Sequence, residues 1–406
     1  MIGTGDDRFM YVYSKNNIPD MDRIVPFFQP IISLQTQRII AYESLGREIV
    51  QGRVRSLGPF FADANITDDI HIKVDRHLRE LAFAKMMRSD GDFQLFINLK
   101  PSWIYHMYNN TGDLPTLQLI DKYEIPPSRI VIEVVEEDFV GNLQDLREVL
   151  EVYRAKGCML AIDDVGSGFS NLDRIAIIQP KILKIDLKIL KKSAKHEGYR
   201  ALLRSFSIIA AQMGASLLVE GVETKEDLQN AMLAGARYAQ GFLFAPAEPE
   251  FLPEDHFTEM LREEMSLFHA QELKKHSRLF EIEQALNHLF STEVIVQNAE
   301  EADEALERFA KFALDIALRY YICKEDGYQI SSNFNRNPEG DWEKDEKFRG
   351  SNWIWRPYFI PNILTMKHYQ IGILSQPYSD INTSSFIQTY SCPIGNGFYL
   401  FMDLAI

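Results

Sequence analysis

The chain has 406 residues but only three cysteines, and no two of them form a C-x-x-C pair. Cys158, Cys323 and Cys392 are too widely spaced for a zinc-ligand pattern, which excludes a structural zinc site and predicts a reducing compartment. The N-terminus lacks the apolar core of a signal peptide, and no apolar run approaches the length of a membrane span. We therefore expect a cytoplasmic protein without a membrane partner.

Positive charge is also scarce. The chain carries 43 Lys and Arg residues against 58 Asp and Glu, a formal net charge of -15. A nucleic-acid-binding face requires a basic stripe, so this balance argues against nucleic acid as a partner. A hydrophobic fraction of 46% is typical of a globular protein, and 406 residues exceed one compact domain. Two domains, or a large barrel with an appendage, are expected.

Eight short apolar segments recur in the first 250 residues, and they predict an α/β fold. The segments 27–32 and 38–45 are separated only by SLQTQ, which is too short for a crossover, so they should form an antiparallel hairpin. Later segments are separated by helical sequence and predict a TIM-like (β/α)8 barrel with an antiparallel first strand over residues 1–250. They cover residues 93–99, 129–136, 158–163, 181–186, 216–221 and 237–242. A doubly wound open sheet is the alternative, but the first strand is not followed by the Gly-rich phosphate loop typical of that fold.

The remaining sequence changes character twice. Residues 251–290 are rich in helix formers with apolar residues at three-four spacing, which predicts a linker helix that bridges two bodies and pairs with a second copy in a homodimer. Residues 291–406 begin with a helix and continue with aromatic, strand-like segments. They predict a smaller α+β domain with an antiparallel sheet.

Polar residues end the predicted barrel strands. In a closed parallel barrel these ends converge at one mouth, where active sites are built. Clustered carboxylate and amide oxygens without histidine or cysteine favour Mg²⁺ or Mn²⁺ over zinc, and a bridging aspartate typically holds two such ions for phosphoryl chemistry. Lys184 is the one cation at the base of this set, where it could orient a water or neutralise developing charge. The strand-end residues are Glu43, Asn98, Glu133, Asp163, Asp164, Lys184, Asp186, Glu220, Glu223 and Gln240.

Each of these residues also has a structural interpretation. Asp163 and Asp164 precede a glycine and could form a turn. Lys184 could pair with Asp186, and the acids at 220 and 223 could cap the helix that follows, as Thr224 could. Acids at five strand ends in register are harder to explain as caps, so together they favour a metal site.

The stretch FFQPIISLQTQRIIAYESLGR resembles the opening signature of EAL domains, the cyclic di-GMP-specific phosphodiesterases of bacteria. INL, VIEVVEE, AIDDVGSGFSNL, ILKID, VEGVET and AQGFLF follow in the family's order, so that the resemblance covers roughly residues 22–250. It implies in-line attack of a metal-bound hydroxide on one phosphodiester of cyclic di-GMP, giving linear pGpG.

The resemblance also implies a role for each matching residue. Glu43, Asn98, Glu133 and Asp163 match the ligands of one ion, while Asp164 and Glu220 serve the second with Asp163 shared. Lys184 matches the lysine that positions the water, and Glu136 the glutamate that anchors the loop after the aspartates. Glu223 is placed with these catalytic residues. The expected substrate-binding residues are Arg47, at a phosphate, with Gln29, Leu45, Asp186 and Gln240.

The chain departs from the family pattern at two places. The name-giving triplet reads Glu43-Ser44-Leu45, with serine in place of alanine. In the loop after the aspartates, Val165, Ser167, Phe169 and Asn171 stand where the family commonly has Phe, Thr, Tyr and Ser. All metal ligands remain, so we expect binding and cleavage. The alternative is a catalytically weak or inactive cyclic di-GMP sensor. An enolase-type barrel with Lys184 as base does not account for six oxygen ligands, and a glycosidase needs only two carboxylates.

The C-terminal segments NWIWRPYFIP and QPYSDINTSSFIQTYSC loosely resemble PAS-like or Cache-like sensor domains. Arg356, Tyr358, Tyr378 and Asp380 occupy positions where such domains contact a small-molecule ligand. The competing interpretation is that Trp353, Trp355 and Tyr358 are core or dimer-interface aromatics. A sensor domain joined by a helix implies regulation of the barrel.

Overall fold

The computed structural model describes residues 18–135, 139, 141–165, 172–193, 196–290, 294, 296–311, 315–380 and 386–405. The chain divides into two compact units, the first extending to Phe268 and the second beginning at His269. None of the helices in the described part of the chain combines the length and the apolar character needed to cross a membrane.

The first unit alternates strands and helices after an initial hairpin. Its strands are β1 (Ile24–Ser33), β2 (Arg38–Val50), β3 (Arg53–Ser56), β4 (Gln94–Leu99), β5 (Ile130–Val134), β6 (Met159–Ile162), β7 (Ile182–Ile185), β8 (Ser216–Val219) and β9 (Tyr238–Ala239). Its helices are α1 (Gly58–Phe61), α2 (Asp68–Met87), α3 (Pro101–Thr111), α4 (Pro115–Lys122), α5 (Leu143–Lys156), α6 (Leu172–Ile178), α7 (Leu187–Ser193), α8 (Glu197–Met213) and α9 (Lys225–Leu233). Short 3-10 turns cover Met21–Arg23 and Pro127–Arg129.

These strands close into a barrel. The sheet order is β1-β9-β8-β7-β6-β5-β4-β2-β3, and an additional pairing of β1 with β2 completes the ring, leaving β3 outside it. Strand β1 runs antiparallel to both β2 and β9, while successive pairs from β2–β4 to β8–β9 are parallel. The predicted (β/α)8 barrel with an antiparallel first strand is confirmed.

Local sequence signals explain the helix boundaries. The Asn142 side chain accepts a hydrogen bond from the amide of Gln144 at the start of α5, and Gly157 ends that helix with a φ of 110°. Helix α9 starts with a capping box in which Thr224 and Asp227 exchange hydrogen bonds. This helix is therefore capped by Thr224, and the two glutamates before it are not required for capping.

Helix α10 (Thr258–Leu289) is continuous, and the division between the two units falls within it. The second unit contains α11 (Ala299–Ala310), a 3-10 turn at Glu346–Phe348 and α12 (Phe359–Tyr369). Its strands are β10 (Ala317–Lys324), β11 (Asn333–Arg336), β12 (Trp342–Asp345), β13 (Ile373–Leu374), β14 (Tyr378–Ser379), β15 (Phe386–Gly395) and β16 (Phe398–Leu404). They pair antiparallel in the order β12-β11-β10-β16-β15-β13, with β14 also on β15, which confirms the smaller α+β domain.

Candidate active site

The positions of the polar residues at the barrel mouth can be derived from the layer of apolar side chains beneath them. Seven buried side chains fill the barrel interior: Ile31, Ala41, Phe96, Val131, Ala161, Ile182 and Leu218. Successive side chains of a strand alternate between faces, so a residue two positions further along points into the same interior. Two positions beyond this layer, toward the mouth, stand Gln29, Glu43, Asn98, Glu133, Asp163, Lys184 and Glu220. The period of the strands therefore places these seven side chains around one opening.

The strand boundaries correct one detail of the prediction. Glu43 does not end its strand, because β2 continues to Val50. It is instead the last residue of β2 that pairs with β4, opposite Phe96. Beyond it, β2 pairs with the short strand β3, which the sequence pattern did not predict. Glu43 thus marks the rim of the barrel even though its strand runs past it.

Lys184 lies at the centre of the cluster. Its side chain is 1% exposed, and its ammonium pairs with the carboxylates of Glu133 and Glu220. Its Nζ lies 3.3 Å from Oδ1 of Asp163 and 3.6 Å from Oε2 of Glu43. The alternative pairing with Asp186 is wrong, because that carboxylate pairs with Lys188 instead. One buried ammonium thus faces four carboxylates and leaves an excess of negative charge.

Ionisation of the cluster reflects this imbalance. Burial, reinforced by the carboxylates of Glu220, Glu43 and Asp164, raises the pKa of Asp163 to about 9. Burial also opposes ionisation of Glu43, but the Lys184 ammonium and two amide hydrogen bonds outweigh it and lower the pKa of that carboxyl. Burial raises the pKa of Glu220 despite the attraction of Lys184. The site as it stands retains protons that a cation would displace.

The adjacent aspartates form a tight turn as well as a pair of acids. Asp164 has a φ of 53°, in the left-handed region that aspartate tolerates better than most residues. Its amide donates to Oδ1 of Asp163 at 2.8 Å. The turn interpretation is thus compatible with a ligand role, because in this conformation carboxylate oxygens of Asp163, Asp164 and Glu220 lie within 4.8 Å of one another.

The residues present fit two hard divalent cations. Glu43, Glu133 and Glu220 bring oxygens within 4.8 Å of one another, and so do Asp163, Asp164 and Glu220. Within the described residues, Oε2 of Glu133 is buried and accepts no hydrogen bond. All these donors are oxygens, the ligand type that Mg²⁺, Mn²⁺ and Ca²⁺ prefer. Glu220 belongs to both groups, whereas the resemblance implied that Asp163 is shared.

Two cavities adjoin at this mouth. The first, of about 220 Å³, is called here the carboxylate cavity, and the second, of about 270 Å³, the arginine cavity. They meet where Nδ2 of Asn98 donates to Oε1 of Glu43 at 3.0 Å. The carboxylate cavity is lined by Gln29, Glu43, Asp163, Lys184, Glu220, Gly221, Glu223, Gln240, Gly241 and Phe242. The arginine cavity includes Leu45, Gly46, Arg47, Phe61, Asp75, Arg79, Asn98, Lys100 and Trp103 in its wall.

Gln240 orients the side chain of Glu43. Its Nε2 donates to Oε2 of Glu43 at 2.7 Å and to Oε1 of Gln29 at 3.2 Å, and the Gln29 amide donates in turn to the carbonyl of Ala245. Gln240 Oε1 is buried and, within the described part of the chain, without a hydrogen-bond partner. This network orients the carboxylate of Glu43 at the edge of the carboxylate cavity.

Arg47 and Leu45 share the arginine cavity. The guanidinium of Arg47 is half-buried, donates to the carbonyl of Gly46 at 3.0 Å and lies 5.9 Å from the centre of the Phe27 ring. Burial lowers its pKa from a value far above neutrality, so it remains a cation. It is positioned to bind an anion at the edge of the carboxylate cluster.

Sequence reasoning missed several residues of the arginine cavity. Asp75 and Arg79 form an ion pair on the inner face of α2, and Lys100 lies over the ring of Trp103 at 4.7 Å. A signal was available: Asp75 and Arg79 are four residues apart on a helix face that is otherwise largely apolar. Phe242, 68% exposed beside Gln240, was also not assigned a role.

The other predicted residues are placed as follows. Glu223 lines the carboxylate cavity and pairs with Lys191 at 2.9 Å. Asp186 lies outside the walls of both cavities, and its Oδ1 accepts from the amide of Lys188 at 2.6 Å, at the start of α7. Val165 is fully buried. Glu136, Ser167, Phe169 and Asn171 lie outside the described residues, so their predicted roles stay predictions.

Comparisons with known proteins cover nearly the whole chain. A family model described as "EAL domain" matches residues 16–247, and one described as "EAL-domain associated signalling protein domain" matches residues 251–406. The uncharacterized EAL-domain containing protein YkuI of Bacillus subtilis (strain 168) is 33% identical over 393 residues, 95% of each chain. The crystal structure of YkuI in complex with substrate c-di-GMP and calcium matches with a TM-score of 0.87, covering 95% of this chain and 97% of that one.

A further relative is the cyclic di-GMP phosphodiesterase RocR of Pseudomonas aeruginosa, 34% identical over 139 residues, which are 34% of each chain. The family match spans more than half of the chain, and the YkuI match spans both of its units. The predicted barrel family is thus confirmed, and the C-terminal unit is identified as a signalling domain that accompanies it. The chain belongs to the EAL-domain family.

Proposed function

We propose that the barrel binds cyclic di-GMP through two divalent cations and hydrolyses one phosphodiester bond to give linear pGpG. The observation that carries this proposal is the ring of oxygen ligands around one buried lysine at the mouth of a closed barrel. The relatives support the substrate, because YkuI has been crystallised with substrate c-di-GMP and calcium and RocR is named a cyclic di-GMP phosphodiesterase.

Glu43, Asn98, Glu133 and Asp163 would hold one cation, and Asp164 and Glu220 the other with Asp163 shared. Mg²⁺ or Mn²⁺ suits this all-oxygen donor set. Such ions, when bound, neutralise the charge that develops on the phosphoryl oxygens and make water a stronger nucleophile near neutral pH. They also explain how a strongly acidic protein accepts a dianionic ligand.

The chain's own residues would orient the attacking water and bind the nucleotide. Lys184 contacts Glu133 and Glu220 directly and can present its third N–H toward a water in the carboxylate cavity. Arg47 would bind a phosphate through its forked guanidinium, which matches phosphate geometry better than a lysine would. Gln29, Leu45 and Gln240 would contact the nucleotide where the two cavities meet. Glu136 and Glu223 are proposed to act with Lys184 in catalysis, and Asp186 is proposed to bind the substrate.

We further propose that the protein acts in the cytoplasm as a homodimer and that the C-terminal domain regulates turnover. The three described cysteines are all buried free thiols, as expected for a reducing compartment. The C-terminal unit supports regulation through its match to an EAL-associated signalling domain. If residues 292–406 can be deleted without altering affinity, dimerisation or turnover, the regulatory part of the proposal is wrong.

The second candidate function is a sensor that binds cyclic di-GMP without useful turnover. It rests on the loop after Asp164, where Val165, Ser167, Phe169 and Asn171 replace the residues common in the family. The fully buried side chain of Val165 shows that the described end of this loop is packed despite the substitution. We favour the enzyme, because none of the metal ligands is changed.

Chromatographic separation of the reaction products tests the proposal. The purified chain is incubated with cyclic di-GMP and Mg²⁺ or Mn²⁺, beside Glu43→Ala and Asp163→Asn. Asp121→Asn serves as the matched control, since this surface carboxylate of α4 pairs only with the exposed Lys156 within the described residues. Formation of pGpG by the unchanged chain and the control, but by neither site variant, supports the enzyme. Tight metal-dependent binding with intact nucleotide would instead identify the sensor.

A further inference from the structure

The second unit contains a cavity of about 180 Å³, called here the sheet cavity, against the strands β10, β14 and β16. Its wall carries four charged side chains among aromatic and amide groups: Arg319, Tyr321, Gln329, Asn333, Phe348, Trp353, Arg356, Tyr378, Asp380 and Asp403. Cavities that hold drug-sized ligands span roughly 300–1,000 Å³, so this one fits only a small molecule.

The two aspartates of the sheet cavity share one arginine. Arg319 donates to both oxygens of Asp380, at 3.2 and 3.0 Å, and to Oδ2 of Asp403 at 2.9 Å. The other oxygen of Asp403 accepts from the hydroxyl of Thr389 at 2.7 Å. Both aspartates are 3% exposed or less. This side of the cavity is thus hydrogen-bonded without a ligand, and it carries one more negative than positive charge.

Arg356 presents the opposite situation. Its Nη1 donates to the hydroxyl of Tyr358 at 3.2 Å, and its buried Nε has no hydrogen-bond partner within the described residues. In the same part of the chain it forms no ion pair with a carboxylate, although carboxylates line the cavity. The Arg356 side chain is half-buried and its Nε is left without an acceptor, so a ligand that supplies a carboxylate there would bind favourably.

Aromatic rings hold this guanidinium in place. Its central carbon lies 5.1 Å from the centre of the Trp353 ring, 5.3 Å from that of Trp355 and 5.4 Å from that of Tyr378. Trp353 also donates to Oε1 of Gln329 at 3.0 Å, so it has a structural role, whereas Trp355 is 62% exposed and is not a core residue. The rings fix the direction of the fork, in which Nη1 donates to Tyr358 and Nε has no partner within the described residues.

We propose that the sheet cavity binds a small organic carboxylate, with the carboxylate on the fork of Arg356. Arg matches a planar carboxylate through two parallel hydrogen bonds. A dianionic phosphate is disfavoured, because the Asp380 and Asp403 side of the cavity already carries surplus negative charge. The ring of Tyr378 lies beside Arg356 while its hydroxyl is 3.5 Å from Oδ1 of Asp403, so a ligand only a few atoms long spans the two sides.

The experiment uses the full-length chain and two matched pairs of probes, propionate with alanine and isovalerate with valine. Each pair differs by an ammonium group, and inorganic phosphate at equal ionic strength is the comparator. Binding is followed by thermal denaturation and by tryptophan fluorescence, since two of the chain's four tryptophans flank Arg356. We expect saturable binding of at least one carboxylate. Preference for the amino acid of a pair would place its ammonium at Asp380 and Asp403, and equal binding would assign recognition to the carboxylate alone.

Variants of Arg356 locate the site. Arg356→Gln should weaken binding roughly tenfold or more, the loss expected for a charge-assisted hydrogen-bond pair, and Arg356→Lys should lie between it and the unchanged chain. Arg308→Gln removes an exposed arginine of α11 and should leave binding unchanged. Absence of binding by all four organic probes, binding that persists in Arg356→Gln, or tighter binding of phosphate than of every carboxylate would overturn the proposal. Even if a variant fails to fold, the fluorescence of the unchanged chain shows whether any organic probe binds and whether phosphate binds more tightly than every carboxylate.

Discussion

Replacing Lys184 with methionine should destabilise the metal-free barrel and leave the metal-loaded barrel much less affected. The ammonium lies 3.3–3.6 Å from two carboxylates and in direct contact with two more, at 1% exposure. At the effective dielectric of a protein, each such attraction amounts to about 4 kcal/mol, and desolvation of the ions offsets much of it. Removing one partner of a buried ion pair costs about 3–5 kcal/mol, because the remaining charges stay uncompensated.

Cations change this result because they supply the missing positive charge. At a free Mn²⁺ concentration of 100 times the dissociation constant, binding adds about 2.7 kcal/mol to the stability of either form. In Lys184→Met the ions also neutralise the carboxylates that the lysine had neutralised. We therefore expect the difference between the variant and the unchanged chain to shrink in Mn²⁺ and to be largest in EDTA.

The pH dependence of this difference follows from the same charges. Loss of the ammonium raises the carboxylate pKa values further, so the folded variant binds more protons than its unfolded chain. Its stability should then fall as the pH rises from 5 to 9. Protonation at low pH partly replaces the lost cation, which reduces the cost there.

Hydrogen exchange followed by mass spectrometry measures the local unfolding free energy of β5 to β8, and peptides of the second unit provide an internal reference. Lys156→Met is the matched control, because this surface lysine of α5 pairs with the exposed Asp121. An equal loss of stability with and without Mn²⁺ would refute the reasoning and assign Lys184 a packing role. An unchanged free energy in EDTA would show that the carboxylates are not charged in the folded protein.

Three further predictions follow from the site. Because the pKa of Asp163 is raised to about 9, Mn²⁺ binding at pH 7 should release a proton, and the affinity for Mn²⁺ should rise with pH up to about 9. Calorimetry in two buffers of different ionisation enthalpy detects the released proton, and a pH-independent affinity would contradict the assignment. Asp164→Gly and Asp164→Ala should both abolish pGpG formation. Only the alanine variant should also lose about 1 kcal/mol of stability, because alanine is strained at a φ of 53°, and equal denaturation midpoints would argue against that strain. Gly241 has a φ of 155°, and a Cβ at this position would lie 2.2 Å from backbone atoms of Val222, so Gly241→Ala should unfold the barrel mouth. A variant with unchanged circular dichroism and thermal midpoint would show that the backbone can move aside.

Much of the barrel and of its site was accessible from the sequence, for a physical reason. Side chains of a strand alternate between its two faces, so a polar residue two positions after an inward-facing apolar residue also points into the barrel interior. Ala41 with Glu43, Phe96 with Asn98 and Val131 with Glu133 follow this rule. Short-range signals also determined the antiparallel first hairpin and the cap of α9 at Thr224.

Other features were decided only when distant segments met. That Lys184 pairs with Glu133 and Glu220 rather than with the neighbouring Asp186 depends on which way each side chain points once the sheet has closed. The extension of β2 to Val50 depends on pairing with β3, an edge strand too short to show a pattern of its own.

The sheet cavity also combines features visible in the local sequence with contacts between distant segments. The local motif around Arg356 and Tyr378 was visible in the sequence. Arg319 and Asp403, in contrast, enter the cavity from β10 and β16 and lie 84 positions apart in the chain. By itself, then, the sequence determined the types of elements, the inward face of each barrel strand and the family. Tertiary structure decided which charges are neutralised and which are left without a partner, because ion pairing depends on distances between segments that local periodicity does not encode.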